Sequence, residues 1–233
     1  MKKILLLVII SIPCFGQIVN KSSPQAQGLI LNYRLNEQGG NIAVPGFGVY
    51  NGTLTNGAYF KNGFMYLDGS NDLVIGNANI PNLTNSNVLT ISFWFNFISH
   101  TSYGAILTKS SSNSNNSTLF DFGVTFNSTS NRLTLNRNGG AVNSTIVLTA
   151  NTLYFITCEI GENRSVLYVN GVQKEVLGGV ASGNNISTTN RPFNICTTGT
   201  PTNMYIKDVR IYNRALTPTE VMDLYINPNK ILR

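Results

Sequence analysis

The chain has 233 residues and a formal charge of +6, yet only 11% of its residues are charged while 42% are hydrophobic. Its polarity comes from Asn, Ser, Thr and Gly, the residues that build turns between strands. Basic residues such as Arg132, Arg137, Lys174, Arg191, Arg210 and Arg214 are scattered and form no run interleaved with aromatics, so the charge does not point to nucleic acid. With a single histidine, His100, a zinc site is not expected.

Lys2 and Lys3, the apolar run 4–12 and the small residues Cys14 and Gly16 predict a secretory signal peptide over residues 1–16, cut after Gly16. The run is shorter than the ~20 residues needed to span a bilayer. Cys14 lacks the leucine and small-residue context of a lipidation signal. The expected location is therefore secreted, or the surface or periplasm of a bacterium, with no transmembrane span in the mature chain. Removing the two lysines lowers the formal charge to +4. Residues 17–28 read as a polar lead-in and 29–233 as one domain, since all-β units of this length are common.

Leu29, Leu31, Tyr33 and Leu35 alternate as the buried side of a first strand. A Gly-rich passage over 39–57 follows. Residues 64–67 and 73–75 flank an Asp68-Gly69 turn, as a hairpin or a corner. Residues 88–97 carry the strongest strand signal. Leu89, Ile91, Phe93, Phe95 and Phe97 form an apolar face, while Thr90, Ser92, Trp94 and Asn96 form a polar face that holds the chain's only tryptophan. If that face is open, Trp94 can stack on a sugar ring; if a helix covers it, Trp94 is structural.

Further strands are expected at 105–109, 119–126, 132–136, 145–148 and 192–196, with a hairpin formed by 153–160 and 165–172. The Ser/Asn tract 110–117 cannot bury apolar surface. Cys158 and Cys196 sit in apolar strand-like runs, as buried thiols or as one disulfide. Residues 205–212 alternate as a last strand, with Val209 and Ile211 opposite Asp208, Arg210 and Tyr212. Thr217, Pro218 and Glu220 then supply the cap, first position and capping-box acid of a short helix.

The end motif Asp208-Val209-Arg210-Ile211-Tyr212-Asn213-Arg214-Ala215-Leu216-Thr217 resembles LamG-like domains of the concanavalin A-like lectin/glucanase superfamily. So do Leu67-Asp68-Gly69-Ser70-Asn71-Asp72-Leu73-Val74 and Tyr168-Val169-Asn170-Gly171, and the likeness runs from about Leu29 to Tyr225. It implies an all-β fold, an antiparallel β-sandwich of jelly-roll type with a short C-terminal helix; the short strands and regular turns independently call for a sandwich. It also gives Asp68 and Asp72 a structural role in a turn. The family's structural calcium is bound by an early aspartate and by an acid at the start of the last strand. Here the stretch 44–50 has no carboxylate and the second position is Lys207, whose ammonium can take the ion's place. No cofactor is expected, and Asp208 is the one remaining metal-ligand candidate.

Retaining glycosidases need two carboxylates about 5 Å apart. No Glu-x-Asp-x-x-Glu string is present, and Glu159 and Glu162 flank a turn. Lyases need a His and Tyr pair with Arg or Gln; His100 and Tyr103 share a loop without such a motif. No catalytic residue is assigned and enzyme activity is not expected. The sequence describes an exported, non-catalytic binding module for a glycan, a polysaccharide or a surface protein, acting in adhesion or polysaccharide capture. An assembly module of a cell envelope or virion is the competing reading, and a divergent hydrolase or lyase the third. Trp94, Asn96, Arg210 and Tyr212 are the candidate ligand-binding residues, on the condition that their two strands are neighbours.

Overall fold

The computed structural model describes residues 20–48, 50–70, 73–76, 86–110, 120–127, 130–180, 191–197, 199–200 and 202–230. The signal peptide, Asp72 and residues 111–117 of the Ser/Asn tract lie outside the described residues. A single 3-10 turn, Pro24–Ala26, precedes β1 (Leu29–Tyr33), β2 (Ile42–Ala43), β3 (Pro45–Phe47) and β4 (Gly52–Thr55). Then come β5 (Tyr59–Lys61), β6 (Phe64–Asp68), β7 (Leu73–Gly76), β8 (Val88–His100), β9 (Ala105–Ser110) and β10 (Phe120–Phe126). The second half holds β11 (Arg132–Arg137), β12 (Gly140–Val147), β13 (Tyr154–Gly161), β14 (Arg164–Val169) and β15 (Val172–Gly178). β16 (Phe193–Ile195), β17 (Thr202–Tyr212) and the helix α1 (Pro218–Ile226) complete it.

Among the described residues these strands pair antiparallel in two sheets. The first has the order β15-β14-β13-β8-β17-β1-β3, with β6 on the remaining length of β17 and β5 beyond it; the second has the order β12-β11-β10-β9-β16-β7-β4-β2. This is the all-β sandwich that the strand signals require. The expected apolar face of β8 is fully buried from Leu89 to Phe97 and meets Phe122, Val124 and Phe126 of β10 and Leu133 and Leu135 of β11. Each such side chain contributes roughly 1.5–3 kcal/mol by leaving water.

Two local expectations change, and one open alternative is decided. Of the hairpin or corner expected around Asp68-Gly69, β6 and β7 make the corner, because β6 joins the first sheet and β7 the second. Gly69 makes this bend at φ +80, and the Asp68 carboxylate accepts a hydrogen bond from Ser70 N at 2.6 Å. The strand expected over 165–172 ends at Val169, because Asn170 and Gly171 both take positive φ and turn the chain into β15. Asn-Gly between alternating runs is the residue pair that such a tight hairpin turn selects. The strand expected at 145–148 begins five residues earlier, at Gly140. Cys158 and Cys196 are both buried, one on the first sheet and the other just beyond β16 of the second, and no bridge joins the two. Burial pushes the Cys158 thiol pKa well up.

A second, smaller core lies outside the first sheet. Helix α1 lays Val221 and Leu224 against Phe155, Val166, Tyr168 and Tyr212, with Ala26 and Leu29 from the N-terminal side. The capping box forms as expected: Glu220 N donates to Thr217 Oγ1 at 3.2 Å and Thr217 N to Glu220 Oε2 at 2.8 Å. Arg214 clamps the same carboxylate with two bonds of 2.6 and 3.0 Å and donates through Nε to the Gln27 carbonyl. Gln25 donates to Asp223 of the helix at 2.9 Å, so the end of the lead-in is tied to the roof. No helix among the described residues is long and apolar enough to cross a membrane.

The hydrogen bonds from Arg214, then those from Thr217, hold the Glu220 carboxyl down at about 2, against 4.5 ordinarily. A carboxyl with a lowered folded-state pKa stabilises the fold above its unfolded value, and that contribution disappears as pH falls toward 2. Glu220→Gln is expected to lower the melting temperature at pH 7 by about 2–4 °C, the equivalent of a lost cap of ~1 kcal/mol. In thermal scans from pH 7 to 2 the gap to wild type should close between about pH 4.5 and 2; a gap constant over that range would contradict the assignment.

Candidate functional site

The two strands that carry Trp94, Asn96, Arg210 and Tyr212 are hydrogen-bonded neighbours. Trp94 stands opposite Lys207, Asn96 opposite Tyr205, Ser92 opposite Arg210 and Thr90 opposite Tyr212. The register slips between Lys207 and Arg210, where Asp208 takes φ +50. Such a bulge adds one residue to the strand and re-aims its neighbours. Lys207, Arg210 and Tyr212 therefore share the outer face with Trp94, while Ile206, Val209 and Ile211 stay in the core. Strict alternation had grouped Asp208 with Arg210 and Tyr212; the bulge separates them.

The roof divides this face into a covered and an open part. Arg210 and Tyr212 are fully buried beneath it. Arg210 donates through Nη2 to the Pro228 carbonyl in the chain after α1. Desolvation by burial raises the Tyr212 hydroxyl to about 12. Trp94 is half-buried. Its ring stacks on Tyr225 of α1, centroid to centroid 5.5 Å at 29°, and meets Phe155 at 5.2 Å. Asn96, one step farther from the helix, is also half-buried.

At the border between the parts lies an open cleft of about 370 Å³, lined by Arg34, Asn36, Gln38, Gly63, Trp94, Leu153, Lys207, Asp208, Pro228 and Asn229. Of the residues singled out in the sequence, Trp94, Lys207 and Asp208 meet here. Arg34 Nε lies 2.9 Å from Asp208 Oδ1, and Asp208 N donates to the Arg34 carbonyl, so the bulge is fastened to β1 by backbone and side chain together. Arg34 Nη2 also donates to Asn229 Oδ1 at 3.0 Å, which holds the terminal segment as one wall. The Lys207 ammonium sits 4.3 Å from the Phe64 ring centroid. Among the described residues it makes no ion pair with a carboxylate. A cation over an aromatic face is held by the ring quadrupole.

Arg34, Asn36, Gln38, Leu153 and Asn229 come from segments far apart in the chain, and spacing gave no sign that they would converge. The amphipathic spacing of Val221, Leu224 and Tyr225 was the one available signal that a helix would reach Trp94.

The other residues considered for chemistry are used locally. His100 has Nδ1 2.7 Å from the Thr101 carbonyl and Nε2 2.8 Å from Asn131 Oδ1, and its ring stacks on Phe126 at 3.9 Å. Tyr103 is about half exposed. Glu159 is buried, and desolvation raises its pKa against the lowering effect of Arg164, 3.4 Å away.

A family model described as the concanavalin A-like lectin/glucanases superfamily matches residues 67–222, from the turn at Asp68 through most of α1. The chain belongs to this superfamily. A search of curated proteins finds no match. Among solved structures, a Trypanosoma rangeli sialidase in complex with 2,3-difluorosialic acid superposes with a TM-score of 0.65 at 14% identity, over 88% of this chain and 34% of that one. The binding domain of Paraclostridial Mosquitocidal Protein 1 gives 0.65 at 16% identity, over 86% and 52%. The botulinum neurotoxin serotype D/C binding domain gives 0.62 at 17%, again over 86% and 52%. The chain thus spans about a third to a half of the length of these structures, and at such identities they share the superfamily fold.

Trp94 is the chain's only tryptophan, so emission excited at wavelengths that tyrosine does not absorb reports this cleft alone. Tyr225→Ala removes the stacked ring and should move the emission to longer wavelength and raise acrylamide quenching. An unchanged spectrum would contradict the contact.

Proposed function

We propose that the protein is an exported, non-catalytic carbohydrate-binding module whose sugar site is the Trp94 cleft. One observation carries this reading: a half-buried tryptophan lining a cleft beside the amides of Asn36, Gln38 and Asn229 and the charges of Arg34, Lys207 and Asp208. A sugar ring offers an apolar C–H face to an aromatic side chain and a rim of hydroxyls to amide and charged groups, so a mixed lining of this kind suits it. The superfamily membership and the fold shared with toxin binding domains support a binding role.

The common route of glycosidic cleavage, through a pair of carboxylates, requires a second carboxylate beside the first. Asp208 is the cleft's one lining carboxylate, and Arg34 engages it. The same set does not suit the family's calcium. Calcium takes six to eight oxygen ligands, whereas a guanidinium and an ammonium flank Asp208 here, and no group of three His, Cys, Asp or Glu gathers among the described residues. We assign no metal to the site.

The test is binding of the protein to a panel of soluble polysaccharides, measured by titration calorimetry. Trp94→Ala should weaken binding at least about fivefold, the equivalent of ~1 kcal/mol for one aromatic contact. Leu153→Asp, at an exposed position on the rim, should block binding with the melting temperature unchanged. Binding that neither substitution affects would place the site elsewhere, and no binding to any polysaccharide would favour the assembly role.

A further inference from the structure

Resting on that reading of the cleft, we infer that its ligand is an acidic saccharide, with the carboxylate or sulfate held by Lys207 beside the ring that lies on Trp94. Two cations, Arg34 and Lys207, line the cleft against one carboxylate, Asp208. That carboxylate is taken by Arg34 at 2.9 Å. Lys207 is left with the Phe64 ring as its neighbour, 4.3 Å from the ammonium. An ammonium so placed is held in position, and its positive charge is not cancelled by the Arg34 and Asp208 pair.

Register supplies the geometry. Trp94 and Lys207 are direct cross-strand partners on one face, which sets their Cβ atoms about 4.5–5.5 Å apart. An acidic group on a pyranose lies roughly one bond beyond the ring, so a ring on the open flank of Trp94 delivers its anion to the Lys207 side. A neutral saccharide would cover the ammonium with hydroxyls, giving up hydration for weaker bonds, whereas an anion provides a charge-assisted one. The amides of Asn36, Gln38 and Asn229 remain for hydroxyl groups whatever the charge. Discrimination between acidic and neutral sugars therefore falls on Lys207.

The experiment compares matched polymers at fixed ionic strength: polygalacturonate against its methyl ester, and dextran sulfate against dextran. Each is measured with wild type, Lys207→Gln and Lys174→Gln. Lys174 is an exposed cation on the edge strand β15, away from the cleft, and controls for attraction by net charge alone. The expected result is at least tenfold tighter binding of one or both acidic polymers than of their neutral partners. Lys207→Gln should cost at least about fivefold for the acidic polymer and less than twofold for any neutral one, and Lys174→Gln less than twofold throughout. The polymer that shows the preference identifies the anion as carboxylate or sulfate. Equal binding of charged and neutral partners, with Trp94→Ala still weakening both, would overturn the acidic specificity and leave the glycan site standing. Equal losses from Lys174→Gln and Lys207→Gln would reduce the effect to net charge and also overturn it. Absence of binding to all four polymers and to the wider panel would bring down the glycan reading itself, and this inference with it.

Discussion

The pairing of β8 with β17, and the single-residue slip within it at Asp208, is the constraint on which the outer face depends. β8 supplies a continuous buried apolar face, so its register is fixed by the core and cannot move by one residue without turning five large side chains out of it. β17 must match it from Thr202 to Tyr212 while also pairing with β6 and β1 along its other edge. The bulge reconciles these demands. It costs a non-glycine residue in the left-handed region, which the Arg34 ion pair and the backbone bond to Arg34 help to hold. Its consequence is positional: Lys207 is brought beside Trp94 and Arg210 under the roof.

The roof follows from the same outer face. Phe155, Val166, Tyr168 and Tyr212 project from three strands away from the main core and need cover. A nine-residue helix is marginal in isolation. Here its start is held by the capping box and Arg214, and its far end by Gln25 and Lys230 on Asp223. The cover stops at Tyr225, and the chain beyond it is caught by Arg210 and Arg34. The cleft is the gap left where this cover ends, which explains why a tryptophan committed on one side to packing still lines an opening.

The sandwich, the buried face of β8, the capping box and the closing strand could all be read from local periodicity and cap chemistry. Trp94 was legible as the side chain to watch, and the helix does reach it: Tyr225 stacks on its ring while the residue still lines the cleft. What could not be read was long-range or irregular. A one-residue bulge at an aspartate leaves no trace in a period-two pattern, so the company of Asp208, Arg210 and Tyr212 came out differently. The change of sheet between β6 and β7 depends on tertiary packing that an Asp-Gly turn does not encode. The apolar residues on either side of Asn170-Gly171 led 165–172 to be read as one strand. Arg34, Gln38 and Asn229 reach the cleft through loops and chain ends, where spacing carries no geometric information.

The most direct test of the cleft as the binding site is the indole N–H resonance of Trp94, the only one in the protein, followed by nuclear magnetic resonance during titration with a bound polysaccharide. On binding, this resonance should shift together with the backbone amides of Lys207, Gln38 and Asn229. A silent indole, with shifts gathered instead on the second sheet, would contradict the cleft as the binding site.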